Sequence, residues 1–149
     1  MSMFDNPQFA RQVIMDHYEH PRNKRVEENY DSKHMSSDSC IDDFTIYMDV
    51  ENDVVVDVSF DGHGCTISTA STSMMTELLK GVSVDDARLI SLEYMKMINL
   101  EDYDSDVLKE SVVFKNVGRS ANRVICATIG WRGANFIINN REVLDGQED

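Results

Sequence analysis

The chain is 149 residues long and carries 14 Lys and Arg against 27 Asp and Glu, a net charge of −13 at neutral pH. That length suits one domain, so a single unit over residues 1–149 is expected, and the acidic balance argues against nucleic acid as a partner because the phosphate backbone would be repelled. No run approaches the ~20 apolar residues of a membrane span, and the start MSMFDNPQFARQ has neither a basic region with an apolar core nor an arginine-rich transit pattern, so a cytoplasmic location without membrane contact is the expectation.

In chain order, Asn6 and Pro7 read as the cap and first-turn proline of a helix through about Tyr18, with Phe9, Val13, Ile14 and His17 on its inner side and Pro21 ending it. His20 to Ser39 is polar and acidic and reads as loop with one short edge strand. The period then changes. In FTIYMDV, residues 44 to 50, Phe44, Ile46, Met48 and Val50 alternate with polar neighbours, as a sheet with one buried face requires. Glu51, Asn52 and Asp53 supply a turn, and the β-branched VVVDVSF, residues 54 to 60, returns as the second strand of a hairpin.

Helical patterns follow. Ile67, Ser71, Met74 and Leu78 predict a helix over 67–80 that stops at Gly81. Ser83 with Asp86 starts another, whose Ala87, Ile90, Tyr94 and Met97 share a side. Beyond the acidic patch Glu101 to Asp106, a third is expected over roughly 106–117, closed by Gly118. The last segment, about 120 to 138, contains Thr128, Gly130 and Gly133, which weaken helix propensity. Ala127, Trp131, Ala134 and Ile138 nevertheless fall on one face, so it too reads as helix. The fold class is α+β: a leading helix, a small antiparallel sheet of about three strands and a helical C-terminal half covering its apolar face.

Three cysteines, Cys40, Cys65 and Cys126, are odd in number and too sparse for a disulfide framework, which leaves core burial, metal ligation or reactivity. Cys65 sits in DGHGC, where Gly62 and Gly64 let the backbone bend just before a helix start, a place that favours the anionic form of a thiol. Cys40 and Asp42 are two apart, and in an extended segment both would point to one side and could face one ion. The alternative is that Asp42 and Asp43 are ordinary turn acids ahead of a strand. His63 reads as an exposed loop residue, and His17, His20 and His34 form no site-like spacing. Met74, Met75, Met95 and Met97 read as core filler. Ser68, Thr69, Ser71 and Ser73 read as a hydroxyl-rich cap and packing face, not nucleophiles, because no His and carboxylate pair accompanies them in the sequence.

Several motifs in order, YEHPRN at 18–23, the C-x-D of Cys40 and Asp42, FDGHGCTISTASTSMMTELLKG from Phe60, and RVICATIGW at 123–131, closely resemble the U-type iron-sulfur cluster assembly proteins over about residues 8 to 138. That family's fold is a small antiparallel sheet packed by helices. The resemblance implies that Cys40, Asp42, Cys65 and Cys126 converge as metal ligands on one exposed site. Its scaffold branch carries a histidine directly before the third cysteine, where this chain has Ile125. Arg123, three residues before Cys126, and the long stretch between Cys65 and Cys126 match the SufU-like branch instead.

The resemblance therefore implies a zinc-dependent sulfurtransferase that takes persulfide sulfur from a cysteine desulfurase, itself a pyridoxal phosphate enzyme, and passes it on to the downstream iron-sulfur assembly machinery. Cys40 would be the acceptor, Cys65 and Cys126 anchors, Asp42 a hard and exchangeable fourth ligand, and Arg123 the contact to partner or persulfide, its alternative being a solvated helix cation. Two other readings stand beside it: a scaffold on which a [2Fe-2S] cluster or iron is held and transferred, and a purely structural zinc module. One departure from the family pattern is Ile41, where glycine usually separates the first cysteine from its aspartate.

Overall fold

The structure is a computed structural model and describes residues 3–37 and 41–140. After a 3-10 turn at Met3–Asp5 come helix α1 (Pro7–Glu19), strands β1 (Asp31–Ser36), β2 (Asp43–Glu51) and β3 (Val54–His63), helices α2 (Thr66–Leu79) and α3 (Val84–Ile98), a run of 3-10 turns, and helix α4 (Ala121–Asn139). The strands form one antiparallel sheet in the order β1-β2-β3. The arrangement is the α+β one expected, with the short edge strand in the polar segment now placed as β1. Among the described residues no helix is long and apolar enough to cross a membrane.

Local chemistry accounts for the elements. The Asn6 side chain accepts the backbone N–H groups of Gln8 and Phe9, with Pro7 in the first turn of α1, and Ser83 accepts that of Asp86 at the start of α3. Asn52 and Asp53 both adopt positive φ, 53° and 62°, the geometry a two-residue turn needs to match the twist of its strands. The alternation of β2 buries Phe44, Ile46 and Met48 completely. β3 is buried through Val58, Ser59 and Phe60 on both faces, because the chain at 23–25 runs along its edge: Phe60 N–H donates to Asn23 and Arg25 N–H donates to Phe60.

One expectation fails. The segment expected as a helix over 106–117 is instead three 3-10 turns, Ser105–Val107, Lys109–Phe114 and Val117–Arg119. Leu108, Ser111, Phe114 and Val117 are all buried, a spacing of three residues, and three residues per turn is the 3-10 period. Lys109 at φ 50° also breaks any continuous α-helix there.

α2 is the structural centre. It packs against α1, β3 and α4, and from Ser68 to Thr76 every residue is buried. One clamp ties it to the rest: His17 of α1 reaches Ser73 through Nδ1 at 2.7 Å and Glu110 through Nε2 at 2.5 Å, while Ser73 Oγ accepts the Arg22 N–H at 2.8 Å. A carboxylate only accepts, so Nε2 carries the proton toward Glu110, and in the neutral ring Nδ1 accepts the Ser73 hydroxyl. The hydrogen bond from His17 holds the Glu110 carboxyl below the ordinary glutamate range, against a smaller upward push from burial.

Because the folded-state pKa of Glu110 lies below its unfolded value, the stabilisation is complete above that unfolded value and fades as pH falls through the lower folded one. Glu110→Gln should therefore lower stability at neutral pH by on the order of 1 kcal/mol, given the half-exposed carboxylate. In urea melts across pH, the gap to the native chain should close below about pH 4.5. A gap that is unchanged or wider in acid would contradict the clamp.

Candidate metal centre

The hairpin register and the helix that follows it bring distant residues together. Asp43 pairs with His63 across β2 and β3, so the chain leaves β3 beside the start of β2 and enters α2 two residues later, at Cys65. Cys65 is the N-cap of α2, and its sulfur accepts the Ser68 N–H at 3.4 Å. Asp42, one residue before β2, turns inward and is only 1% exposed. Its Oδ1 accepts two hydrogen bonds, from the Cys65 N–H at 3.0 Å and from the Ser68 hydroxyl at 2.7 Å.

Gly64 makes this approach possible. A Cβ there would stand 2.4 Å from Ser68 Oγ, 2.5 Å from Asp42 Oδ1 and 2.8 Å from the Phe44 ring. Any side chain at 64 would displace the carboxylate from the helix start.

Cys126 comes from the other direction, on the second turn of α4. Its helix lies against α2, with the Cys126 carbonyl 3.4 Å from Ser71 Oγ, and is held to α3 where the Tyr94 hydroxyl donates to the Ala127 carbonyl at 2.7 Å. Burial pushes the Tyr94 phenol upward, so it stays a donor, and its ring stacks on Trp131 with centroids 4.1 Å apart. One turn beyond Cys126, Gly130 lies against α2 so closely that a Cβ would sit 2.4 Å from Thr72 Oγ1.

As a result one ligand atom each from Asp42, Cys65 and Cys126 lies within 4.8 Å of the others; Asp42 and Cys126 are buried and Cys65 half-buried. Donors sharing a tetrahedral zinc at ~2.3 Å are roughly 3.5–3.8 Å apart, so a contraction of at most about 1 Å would bring these three to ligand spacing and leave one position of the tetrahedron for a fourth donor. Two sulfurs and a carboxylate oxygen are a donor set that zinc accepts and that iron also accepts. The expected donor Cys40 lies outside the described residues. Arg123 is exposed on the first turn of α4, one turn before Cys126, and among the described residues its guanidinium has no ion-pair partner. Ile41 is 69% exposed immediately beside Asp42.

Asp42, expected as the exchangeable fourth ligand, is the oxygen donor of the group. Burial and two hydrogen bonds on Oδ1 fix the position of its carboxylate. His63 is exposed, as its loop-like sequence suggested, at the end of β3. Met74, Met75 and Met97 are core residues and Met95 packs against the core. The serine reading needs one amendment: a His and a carboxylate do accompany Ser73, namely His17 and Glu110, 56 and 93 residues apart along the chain in the two contacts they form. Ser73 is completely buried, so this trio is a clamp and offers no nucleophile to a substrate.

Comparison with known proteins identifies the family. Residues 9–128 match the family model described as the NifU-like N terminal domain. The chain is 37% identical over 123 residues to the zinc-dependent sulfurtransferase SufU of Bacillus subtilis, covering 82% of this chain and 84% of that protein. It is 36% identical over 94 residues to the iron-sulfur cluster assembly scaffold protein IscU of Thermotoga maritima, covering 63% and 66% of the two chains. A crystal structure described as a putative iron-sulfur cluster assembly scaffold protein for the SUF system, from Fervidobacterium islandicum, superposes with a TM-score of 0.81 at 30% identity, covering 85% of this chain and 94% of that one.

The α2–α4 contact yields a direct test. Gly130→Ala should force the helices apart and lower unfolding free energy in urea by about 1–3 kcal/mol. Adding Thr72→Ala, which removes two of the three crowding atoms, should recover part of the loss. An unchanged midpoint for Gly130→Ala would mean that this contact does not set the position of Cys126.

Proposed function

The chain belongs to the NifU-like N-terminal domain family, and from that premise we propose that it is a zinc-dependent sulfur acceptor of iron-sulfur cluster assembly in the cytoplasm. The observation that carries the reading is the gathering of Asp42, Cys65 and Cys126 donor atoms within 4.8 Å. With Cys40, two residues from Asp42, they make a set of three thiolates and one carboxylate. Bound zinc would hold the thiols deprotonated near neutral pH, where a free thiol of pKa ~8.5 is mostly protonated.

Burial supports a division of labour in this reading. Asp42 and Cys126 are enclosed and Cys65 caps α2, which suits these three as the fixed donors and leaves Cys40 as the one that reacts. The Cys40 thiolate attacks the outer sulfur of a persulfide on the donor protein. The bond between that sulfur and the donor cysteine breaks, the donor leaves as a thiolate, and Cys40 carries the sulfur as a persulfide for a downstream acceptor. The donor is a pyridoxal-phosphate cysteine desulfurase. Arg123, exposed one turn from Cys126, meets the incoming persulfide or the partner surface in this reading. The acidic surface, at −13 overall, suits a partner with a basic face.

A second reading is favoured by one feature: the same sulfur and carboxylate donors suit iron. It is that of a scaffold, here for a [2Fe-2S] cluster; the Thermotoga relative is named an iron-sulfur cluster assembly scaffold protein.

Protein purified without added metal should contain about one zinc per chain and accelerate cysteine turnover by its desulfurase. Cys40→Ala should remain folded and lose sulfur acceptance, read as loss of the persulfide mass increment, whereas Cys65→Ala should lose both metal and stability. A folded Cys40→Ala chain that takes up sulfur at the native rate would overturn the assignment. A transferable coloured cluster formed with iron and sulfide, without desulfurase stimulation, would favour the scaffold.

A further inference from the structure

Ser68 touches two members of the donor set at once. Its backbone N–H donates to Cys65 Sγ at 3.4 Å, and its hydroxyl lies 2.7 Å from Asp42 Oδ1, 3.1 Å from the Cys65 carbonyl and 3.4 Å from Cys65 Sγ. The hydroxyl has one proton, and the carboxylate is both the nearest and the charged acceptor, so the proton goes to Asp42. The residue is completely buried, so water does not compete for these contacts.

With the Cys65 N–H on the same oxygen at 3.0 Å, both lone pairs of Oδ1 are engaged. Ligation then falls to Oδ2, and the carboxylate is fixed in rotation. A carboxylate free to turn could offer either oxygen, or both, and would lose rotamer freedom on binding. One held from behind has already lost it.

We infer that Ser68 is a positioning residue of the metal centre, holding Asp42 through Oδ1 so that Oδ2 alone is presented to the ion alongside Cys65. This rests on the zinc reading above and adds to it the group that orients the oxygen ligand. Gly64 belongs to the same device, since any Cβ there would crowd both Ser68 Oγ and Asp42 Oδ1, at 2.4 and 2.5 Å.

The test is competition for zinc against a chromophoric chelator, with cobalt spectra of the same proteins. Ser68→Ala should weaken zinc binding about 10–100-fold, the range for loss of a group that orients a ligand, and should shift the cobalt ligand-field bands. In an Asp42→Ala background the same substitution should change affinity by no more than about twofold, because a residue acting through Asp42 has nothing left to orient. A purely structural role would carry its loss into that background unchanged.

Equal affinity for Ser68→Ala and the native chain, or fully additive losses, would overturn the inference. If Ser68→Ala does not fold, Gly64→Ala reads the same hydrogen bond: a comparable loss that disappears in the Asp42→Ala background supports the inference, and native affinity overturns it. A native chain that binds neither metal sinks both this inference and the zinc reading. A chain that binds metal as described but never accepts sulfur sinks only the sulfur-transfer part.

Discussion

The Asp42 carboxylate is what joins the sheet to the helices at the candidate centre. It sits one residue before β2, yet its Oδ1 is bonded to the first turn of α2 through the Cys65 amide and the Ser68 hydroxyl. A buried carboxylate is costly unless its oxygens are satisfied, so these bonds also fix how the chain must cross from β3 into α2. Gly64 at that crossing leaves the space the carboxylate fills. Cys65 becomes the helix cap by the same geometry, with its sulfur beside the acid.

Two further constraints bring in Cys126. Gly130 lets α4 lie against Thr72 of α2, and the Tyr94 hydroxyl, kept protonated by burial, anchors the Ala127 carbonyl. The donor set is therefore a product of packing among four elements, with its anchors buried and Cys65 half-exposed. Ile41, largely exposed, adjoins Asp42 in the chain, and Arg123 is exposed one turn before Cys126. Ile41 adds an exposed aliphatic side chain beside the carboxylate without altering the ligand atoms.

Much of the fold was legible because its signals are local. Asn6-Pro7, the alternation from Phe44 to Val50, the Asn52-Asp53 turn and the Ser83 cap each act within a few residues of themselves. The segment after Asp106 was misread because its buried positions recur every third residue, which over a short stretch is easily taken for an α-helical face. The glycines and β-branched residues of α4 argued against helix, but tertiary contacts to α2 and the sheet outweighed propensity. At the site, the ligand types were legible and their support was not. Asp42 looks like a turn acid until the strand register buries it, and nothing along the chain links His17 to Ser73 and Glu110. The hydroxyls of α2 read as packing, which is true of Ser71 and incomplete for Ser68 and Ser73.

The account depends on sulfur and carboxylate oxygen from distant parts of the chain sharing one ion. Zinc-edge X-ray absorption of the purified protein addresses that most directly. It should show about three sulfur neighbours at ~2.3 Å and one oxygen at ~2.0 Å, with a sulfur lost in Cys65→Ala and in Cys126→Ala. A shell of nitrogen and oxygen alone, or one unaffected by those two substitutions, would contradict it.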